Sequence, residues 1–170
     1  MDEATERMRK APWPAIENSR AVFAERTDAP APDRKRETRS AGYDEAVRLA
    51  LVELMEADER VFVLGEDVGG RYDGAFGVTR GLVKQFGPAR CLNTPLAESA
   101  IIGCAVGAAL MGKRPVAEIQ FADFLAPAFN ALVNNAAKIY WRYRKPVSMV
   151  VRLPYGGATG TMNMMLGGGP

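Results

Sequence analysis

The sequence contains no histidine and only two cysteines, Cys91 and Cys104, among its 170 residues. Without an imidazole, Ser-His and Cys-His catalysis and histidine-ligated zinc hydrolysis are excluded for this chain on its own. The spacing of the two cysteines fits no common metal site. Since Cys91 lies in a predicted strand and Cys104 on a predicted helix, we expect both to be reduced thiols in the core.

The chain also has little net charge and no long apolar run. The net charge is only +2, which predicts neither a nucleic-acid partner nor an anionic membrane surface. The longest apolar stretch, residues 100–111, is too short to span a bilayer. Residues 1–12 lack the apolar core of a secretory signal and carry three acids, so a cytoplasmic location is the default expectation.

The order of apolar segments predicts an α/β fold. Residues 1–40 show no sustained periodicity and contain four prolines, which is typical of a flexible N-terminal arm. A first helix is predicted from Tyr43, with Ala46, Leu49, Ala50 and Leu54 on its apolar face. Short predicted strands at 61–64, 90–93, 115–119 and 147–153 then alternate with helical segments at 79–86, 98–111 and 121–143. This alternation predicts a parallel sheet flanked by helices.

One carboxylate, Glu98, stands directly before an apolar helical run that contains no other charge. Pro95 suits the entry to a helix, and Glu98 falls in or next to the first turn, where the helix dipole favours an anion. One face of the run carries only small side chains: Ala100, Gly103, Cys104, Gly107 and Ala108. A glycine inside a helix costs roughly 1 kcal/mol relative to alanine, so two of them suggest close approach of another backbone.

The spacing of Glu98 and the small-faced helix resembles the pyrimidine-side motif of thiamine diphosphate enzymes. Within that class, the motif resembles the form found in the beta subunits of the 2-oxo-acid dehydrogenases. The flanking segments agree with it: LGED at 64–67, RYDGAFGVTRGL at 71–82, NTPLAE at 93–98, AEIQFADF at 117–124 and NNAAK at 134–138. The resemblance covers residues 43–157, and it implies a transketolase-like pyrimidine-binding domain at 41–158.

The resemblance also implies a cofactor and a reaction. Glu98 would be the carboxylate that hydrogen-bonds the pyrimidine ring nitrogen of thiamine diphosphate, with Gln120 and Phe124 against the pyrimidine. For Phe124, plain core packing remains an equal alternative. The implied activity is oxidative decarboxylation of pyruvate or a branched-chain 2-oxo acid, followed by acyl transfer to a lipoyl group on an acyltransferase core. The cofactor carries that chemistry, and the protein supplies orientation and electrostatics.

Part of the family pattern is missing. No Gly-Asp-Gly sequence, which grips the diphosphate and its magnesium, occurs in the chain. The resemblance assigns that grip, and the metal, to an alpha subunit, so we expect a hetero-oligomer and an isolated chain without activity. Residues 159–170 are interpreted as a truncated glycine-rich tail, with the C-terminal domain absent. The rival interpretations are a non-catalytic fragment and the pyrimidine domain of a transketolase or deoxyxylulose-phosphate synthase.

Overall fold

The computed structural model describes residues 3–12, 40–70 and 72–155. Five α-helices and four strands occur in these ranges: α1 (Glu3–Lys10), α2 (Tyr43–Ala57), β1 (Val61–Gly65), α3 (Leu82–Phe86), β2 (Cys91–Asn93), α4 (Glu98–Leu110), β3 (Arg114–Glu118), α5 (Ala137–Tyr143) and β4 (Val150–Arg152). The chain also forms tight turns of 3-10 helix at Ala75–Gly77 and Ala122–Ala128, and wide turns of π-helix at Ala131–Ala136.

The four strands form one sheet in the order β2-β1-β3-β4, and every pairing is parallel. This confirms the predicted α/β fold. The register places Gly65 beside Asn93 and Glu118, and Glu118 beside Arg152. We call these four aligned strand ends the carboxyl edge, which is the edge where open parallel sheets place ligands.

Alternate residues of β1 supply two cores, one on each face of the sheet. Val61 and Val63 pack beneath α2 and α3 with Met55 and Leu82. Leu64 packs on the other face against α4 and the segment after β3. The buried side chains of that second core include Ile101, Ile102, Ala105, Val106 and Ile119. Burial of each large aliphatic side chain contributes about 1.5–3 kcal/mol, so these cores fix α4 firmly against the sheet.

The predicted apolar face of α2 was wrong. Leu51 and Met55 are buried, whereas Ala50 is exposed and Leu54 is 52% exposed. Apolar residues occur all around this helix between positions 46 and 55, so periodicity alone did not select the face. The buried face of α2 is instead determined by the strand against which the helix packs.

The exposed side of α2 borders an apolar groove over strands β3 and β4. Its walls include Val47, Leu54, Val116 and Val150. Val150 and Leu54 are both more than half exposed, so the described residues leave this part of the sheet face open to solvent. Helices therefore cover the two faces unevenly within the described ranges.

The described part of the N-terminal arm, residues 3–12, contains a helix that the sequence prediction missed. Residues Glu3–Lys10 are helical, with acids in the first turn, bases in the last, and a Lys10–Glu6 ion pair at 3.2 Å. Charge order of this kind complements the helix dipole. Residues 13–39 and the tail at 159–170 lie outside the described residues, so the remaining predictions for them are untested. No helix in the described ranges has the length and apolar character needed to cross a membrane.

Candidate active site

Glu98 is the first residue of α4, and its side chain is half-buried close to the carboxyl edge. Its position in the first turn, which the sequence predicted, is confirmed. The small face of α4 points outward, with Ala100, Gly103, Cys104 and Gly107 exposed. A Cβ added at Gly103 or Gly107 would meet no atom of the described residues within 4 Å, apart from those of its immediate surroundings in the helix. Close approach of another chain to this face stays a prediction.

The expectation for the two thiols was half right. Both cysteines are free, but only Cys91 is buried. Cys104 lies on the outward, small-residue face of α4, so it is not a core thiol. Burial raises the pKa of the Cys91 thiol, while nearby Arg90 lowers it to a lesser extent.

Glu66, for which the sequence predicted no catalytic role, is buried beside Glu98. It follows the last residue of β1 and is only 2% exposed. Burial raises the pKa of the Glu66 carboxyl, and the negative charge of Glu98 raises it further. The backbone N–H of Ala97 opposes this shift in pKa, but neither carboxylate oxygen has a hydrogen bond of ordinary geometry. The charges of the two acids therefore interact near the start of α4, and the described contacts include no cation that pairs with Glu66.

Gln120 lies two residues beyond β3 and points toward the same region. Its amide donates a 2.6 Å hydrogen bond to Oδ2 of Asp67, the residue after Glu66. Asp67 adopts a left-handed backbone conformation with φ of 57°. This conformation is uncommon outside glycine, and such strain concentrates at functional sites. The hydrogen bond thus ties Gln120 to the loop that begins with Glu66.

Phe124 lies at the end of a row of three rings. Phe76 and Phe121 meet edge-to-face with centroids 6.2 Å apart, and Phe121 and Phe124 do so at 5.9 Å. Phe124 also packs against the second core, so both interpretations of this ring, cofactor contact and core packing, keep a structural basis. We call Phe76, Phe121 and Phe124 the aromatic row.

A short hydrogen bond joins the segment of Phe124 to the start of α4. The Ser99 hydroxyl donates to the carbonyl of Pro127 at 2.5 Å. Pro127 lies inside the 3-10 segment Ala122–Ala128, where it has no N–H to donate to a preceding carbonyl. The elements that carry Glu98, Gln120 and Phe124 are thus gathered at one end of the sheet. Glu66 and Asp67 lie at the same end of the sheet. The sequence signal that could have identified these two acids is the LGED segment at 64–67.

A metal site is not assembled by the described residues. Within residues 3–12, 40–70 and 72–155, no group of three or more histidine, cysteine, aspartate or glutamate side chains is placed to hold a metal ion.

Comparison with known proteins identifies the family. This α/β domain has a carboxylate at a helix start on the carboxyl edge of a parallel sheet. Residues 39–164 match the family described as transketolase, pyrimidine binding domain, and the chain belongs to that family.

Its relatives include beta subunits of several dehydrogenases. The chain is 56% identical over 117 residues to the 2-oxoisovalerate dehydrogenase subunit beta of Bacillus subtilis, covering 68% of this chain and 36% of the relative. It is 51% identical over 125 residues to the 3-methyl-2-oxobutanoate dehydrogenase subunit beta of Mycobacterium tuberculosis, covering 72% and 36%. It is 49% identical over 115 residues to the pyruvate dehydrogenase E1 component subunit beta of Acholeplasma laidlawii, covering 66% and 35%.

These matches confirm the resemblance seen in the sequence. The matched region spans about a third of the length of each of these relatives.

Proposed function

We propose that this chain supplies the pyrimidine half of a thiamine diphosphate site in the beta subunit of a 2-oxo-acid dehydrogenase. The reaction is oxidative decarboxylation of pyruvate or a branched-chain 2-oxo acid, with acyl transfer to a lipoyl group. The names of the relatives support this class, since they include both branched-chain and pyruvate dehydrogenase beta subunits. They do not separate one 2-oxo acid from the other.

The observation that carries the proposal is the pair of interacting carboxylates, Glu98 and Glu66. Burial and the charge of Glu98 raise the pKa of Glu66, which favours its neutral form. Glu98 is the first residue of α4, where the helix N-terminus attracts negative charge. Glu98 thus offers a carboxylate to a ring nitrogen, and the raised pKa of Glu66 limits the charge that the two acids carry together.

The residues present fit the pyrimidine end of the cofactor. When bound, thiamine diphosphate supplies the nucleophilic carbon and the electron sink for decarboxylation. Glu98 would hold a proton between its carboxylate and the pyrimidine ring nitrogen, and Phe124 would offer a stacking surface. Gln120, fixed by Asp67, would orient the polar side of the ring.

The diphosphate end requires a second chain in this proposal. The sequence has no Gly-Asp-Gly, and the described residues form no metal cluster. An alpha subunit would hold the diphosphate and magnesium, and the lipoyl-bearing acyltransferase core would receive the acyl group. The active site then lies between chains of a hetero-oligomer, and the isolated chain is inactive. Its cytoplasmic location remains a prediction.

Substitution of Glu98 tests the proposal. In the complete alpha-beta assembly, Glu98→Gln is expected to lower kcat by about a hundredfold or more, because an essential transition-state interaction is lost. Subunit association, as measured by size-exclusion chromatography, is expected to stay intact. The control is Glu59→Gln, which changes an exposed acid in the turn before β1. Turnover of the Glu98→Gln assembly close to that of the parent protein would refute the assignment.

A further inference from the structure

Glu118, the last residue of β3, is fully buried at the centre of the carboxyl edge. Its Oε2 lies 2.7 Å from Nη1 of Arg152, its register partner on β4. Its Oε1 accepts a 3.1 Å hydrogen bond from the backbone N–H of Ala75. Ala75 belongs to the loop between β1 and α3, so one carboxylate links β3, β4 and this loop.

The space around the Glu118–Ala75 hydrogen bond is closely filled. A Cβ added at Gly74 would lie 2.6 Å from Oγ1 of Thr79 and 3.1 Å from Oε1 of Glu118. Gly74 has a φ of 73°, which glycine adopts readily. The loop backbone therefore lies in close contact with the Glu118 carboxylate. The hydrogen bond fixes the position of the Ala75 backbone, and with it the start of the residue that follows.

That next residue is Phe76, the first ring of the aromatic row. Phe76 has a left-handed backbone conformation, with φ of 60° and ψ of 22°. A bulky residue holds this conformation only where its surroundings determine it. Phe76 is 53% exposed, so core burial alone does not fix it. The local restraints include the Ala75 hydrogen bond, the edge-to-face contact with Phe121 and a backbone hydrogen bond from the Gly77 N–H to the Gly74 carbonyl.

We infer that Glu118 is a positioning residue for Phe124, acting through Ala75 and the aromatic row. The path runs from the Glu118 carboxylate to the Ala75 N–H, then through the rings of Phe76 and Phe121 to that of Phe124. Arg152 pairs with the other carboxylate oxygen, Oε2, and the path itself needs only the oxygen that accepts from Ala75. The inference rests on the proposed function, in which Phe124 faces the pyrimidine, and it adds a residue that does not itself touch the cofactor.

Two double variants isolate the acceptor for Ala75 from the ion pair. Glu118→Met with Arg152→Met removes the pair and the acceptor together, without leaving a buried charge unpaired. Glu118→Gln with Arg152→Met also removes the pair but keeps an amide oxygen for Ala75. A purely structural role of the pair predicts equal effects of the two variants. A positioning role predicts that the Gln variant behaves like the parent protein.

The first measurement is 19F NMR of 4-fluorophenylalanine placed at position 124 in the cofactor-free alpha-beta assembly. We expect the parent and Gln variants to give one sharp resonance at the same shift, and the Met variant to give a shifted or broadened one. Phe76→Leu changes a half-exposed residue and leaves Glu118 and Arg152 in place. This variant is expected to reproduce the Met spectrum. Phe76→Leu also tests the path if the Met variant does not fold. An unchanged Phe124 resonance in Phe76→Leu or in the Met variant would overturn the inference, as would equal changes in both double variants.

The second measurement is calorimetric titration of thiamine diphosphate with magnesium into the same assemblies. We expect the Met variant to bind the cofactor about threefold to tenfold more weakly and the Gln variant to bind like the parent protein, with kcat at saturating cofactor retained. A changed Phe124 resonance with unchanged cofactor affinity would sustain the positioning of the ring and overturn its proposed place in the cofactor site. The two failures are therefore distinguishable.

Discussion

Glu66 and Glu118 lie at the ends of neighbouring parallel strands, both almost completely buried, and they have opposite surroundings. Glu118 has a cation, Arg152, at 2.7 Å and a backbone N–H donor. Glu66 has neither a cation nor a regular hydrogen bond, and its charge interacts with that of a second acid, Glu98. Burial raises the pKa of both carboxyl groups, but the neighbouring charge opposes the shift for Glu118 and adds to it for Glu66.

The difference separates a buried carboxylate that is paired, and fixes the geometry around it, from one that has no cation partner among the described residues. A buried charge with a partner fixes geometry, and a buried acid beside another acid costs stability that the fold does not recover locally. In this domain the paired acid lies at the β3–β4 side of the carboxyl edge. The unpaired acid lies at the β1–α4 side, where we place the cofactor.

Breaking the pair is expected to have the largest effect on stability. Arg152→Met alone leaves Glu118 buried without its cation, and we expect a loss of about 3 kcal/mol in the free energy of unfolding at pH 7. The loss is expected to shrink toward pH 4, because protonation of Glu118 removes the unpaired charge. Urea unfolding of the purified chain at both pH values measures it.

The matched control for this prediction is Lys113→Met, which changes an exposed cation in the turn after α4. A loss in Arg152→Met no larger than that of the control would mean that the ion pair does not hold the carboxyl edge together.

Removing the unpaired acid is expected to have a smaller effect, of opposite sign. A carboxyl group whose pKa is raised on folding binds its proton more tightly in the folded than in the unfolded state. It therefore stabilises the folded state at low pH relative to high pH. That contribution is lost as the pH rises from the ordinary glutamate pKa of 4.5 through the raised one. Glu66→Gln removes this loss, so its stability relative to the parent chain is expected to improve between pH 4 and pH 8, by on the order of 1 kcal/mol.

Thermal unfolding at a series of pH values tests the Glu66 prediction, with Glu59→Gln as the exposed control. A stability difference between Glu66→Gln and the parent chain that is constant across pH, or that falls as the pH rises, would contradict the assignment of Glu66 as a destabilised acid.

Much of the fold follows from local patterns in the sequence. The run that became β1 is continuous and apolar because both faces of a parallel sheet are packed. Glu98 could be placed at a helix start because Pro95 and the uncharged run after it are local signals. The bounds differ by a few residues: the last strand is confined to Val150–Arg152 although the apolar run begins at 147.

The rest depends on contacts between distant parts of the chain. The Glu118–Ala75 hydrogen bond joins residues 43 apart, and the Gln120–Asp67 bond joins residues 53 apart. Neither leaves a periodic trace in the sequence. The region predicted as one helix from 121 to 143 contains 3-10, π-helical and α-helical turns, with Pro127 in the first of these segments. Local propensity does not distinguish between these backbone hydrogen-bond patterns.

The central claim is that this chain carries the pyrimidine half of the cofactor site and not the diphosphate half. Isothermal titration calorimetry of thiamine diphosphate and magnesium into the purified chain, alone and with an alpha subunit of the relatives' class, tests it most directly. The account predicts no binding to the chain alone with Kd below about 1 mM, because the sequence lacks the Gly-Asp-Gly that would grip the diphosphate and its magnesium. Adding the alpha subunit to the chain is expected to restore binding. Micromolar binding by the chain alone as a monomer would contradict the claim.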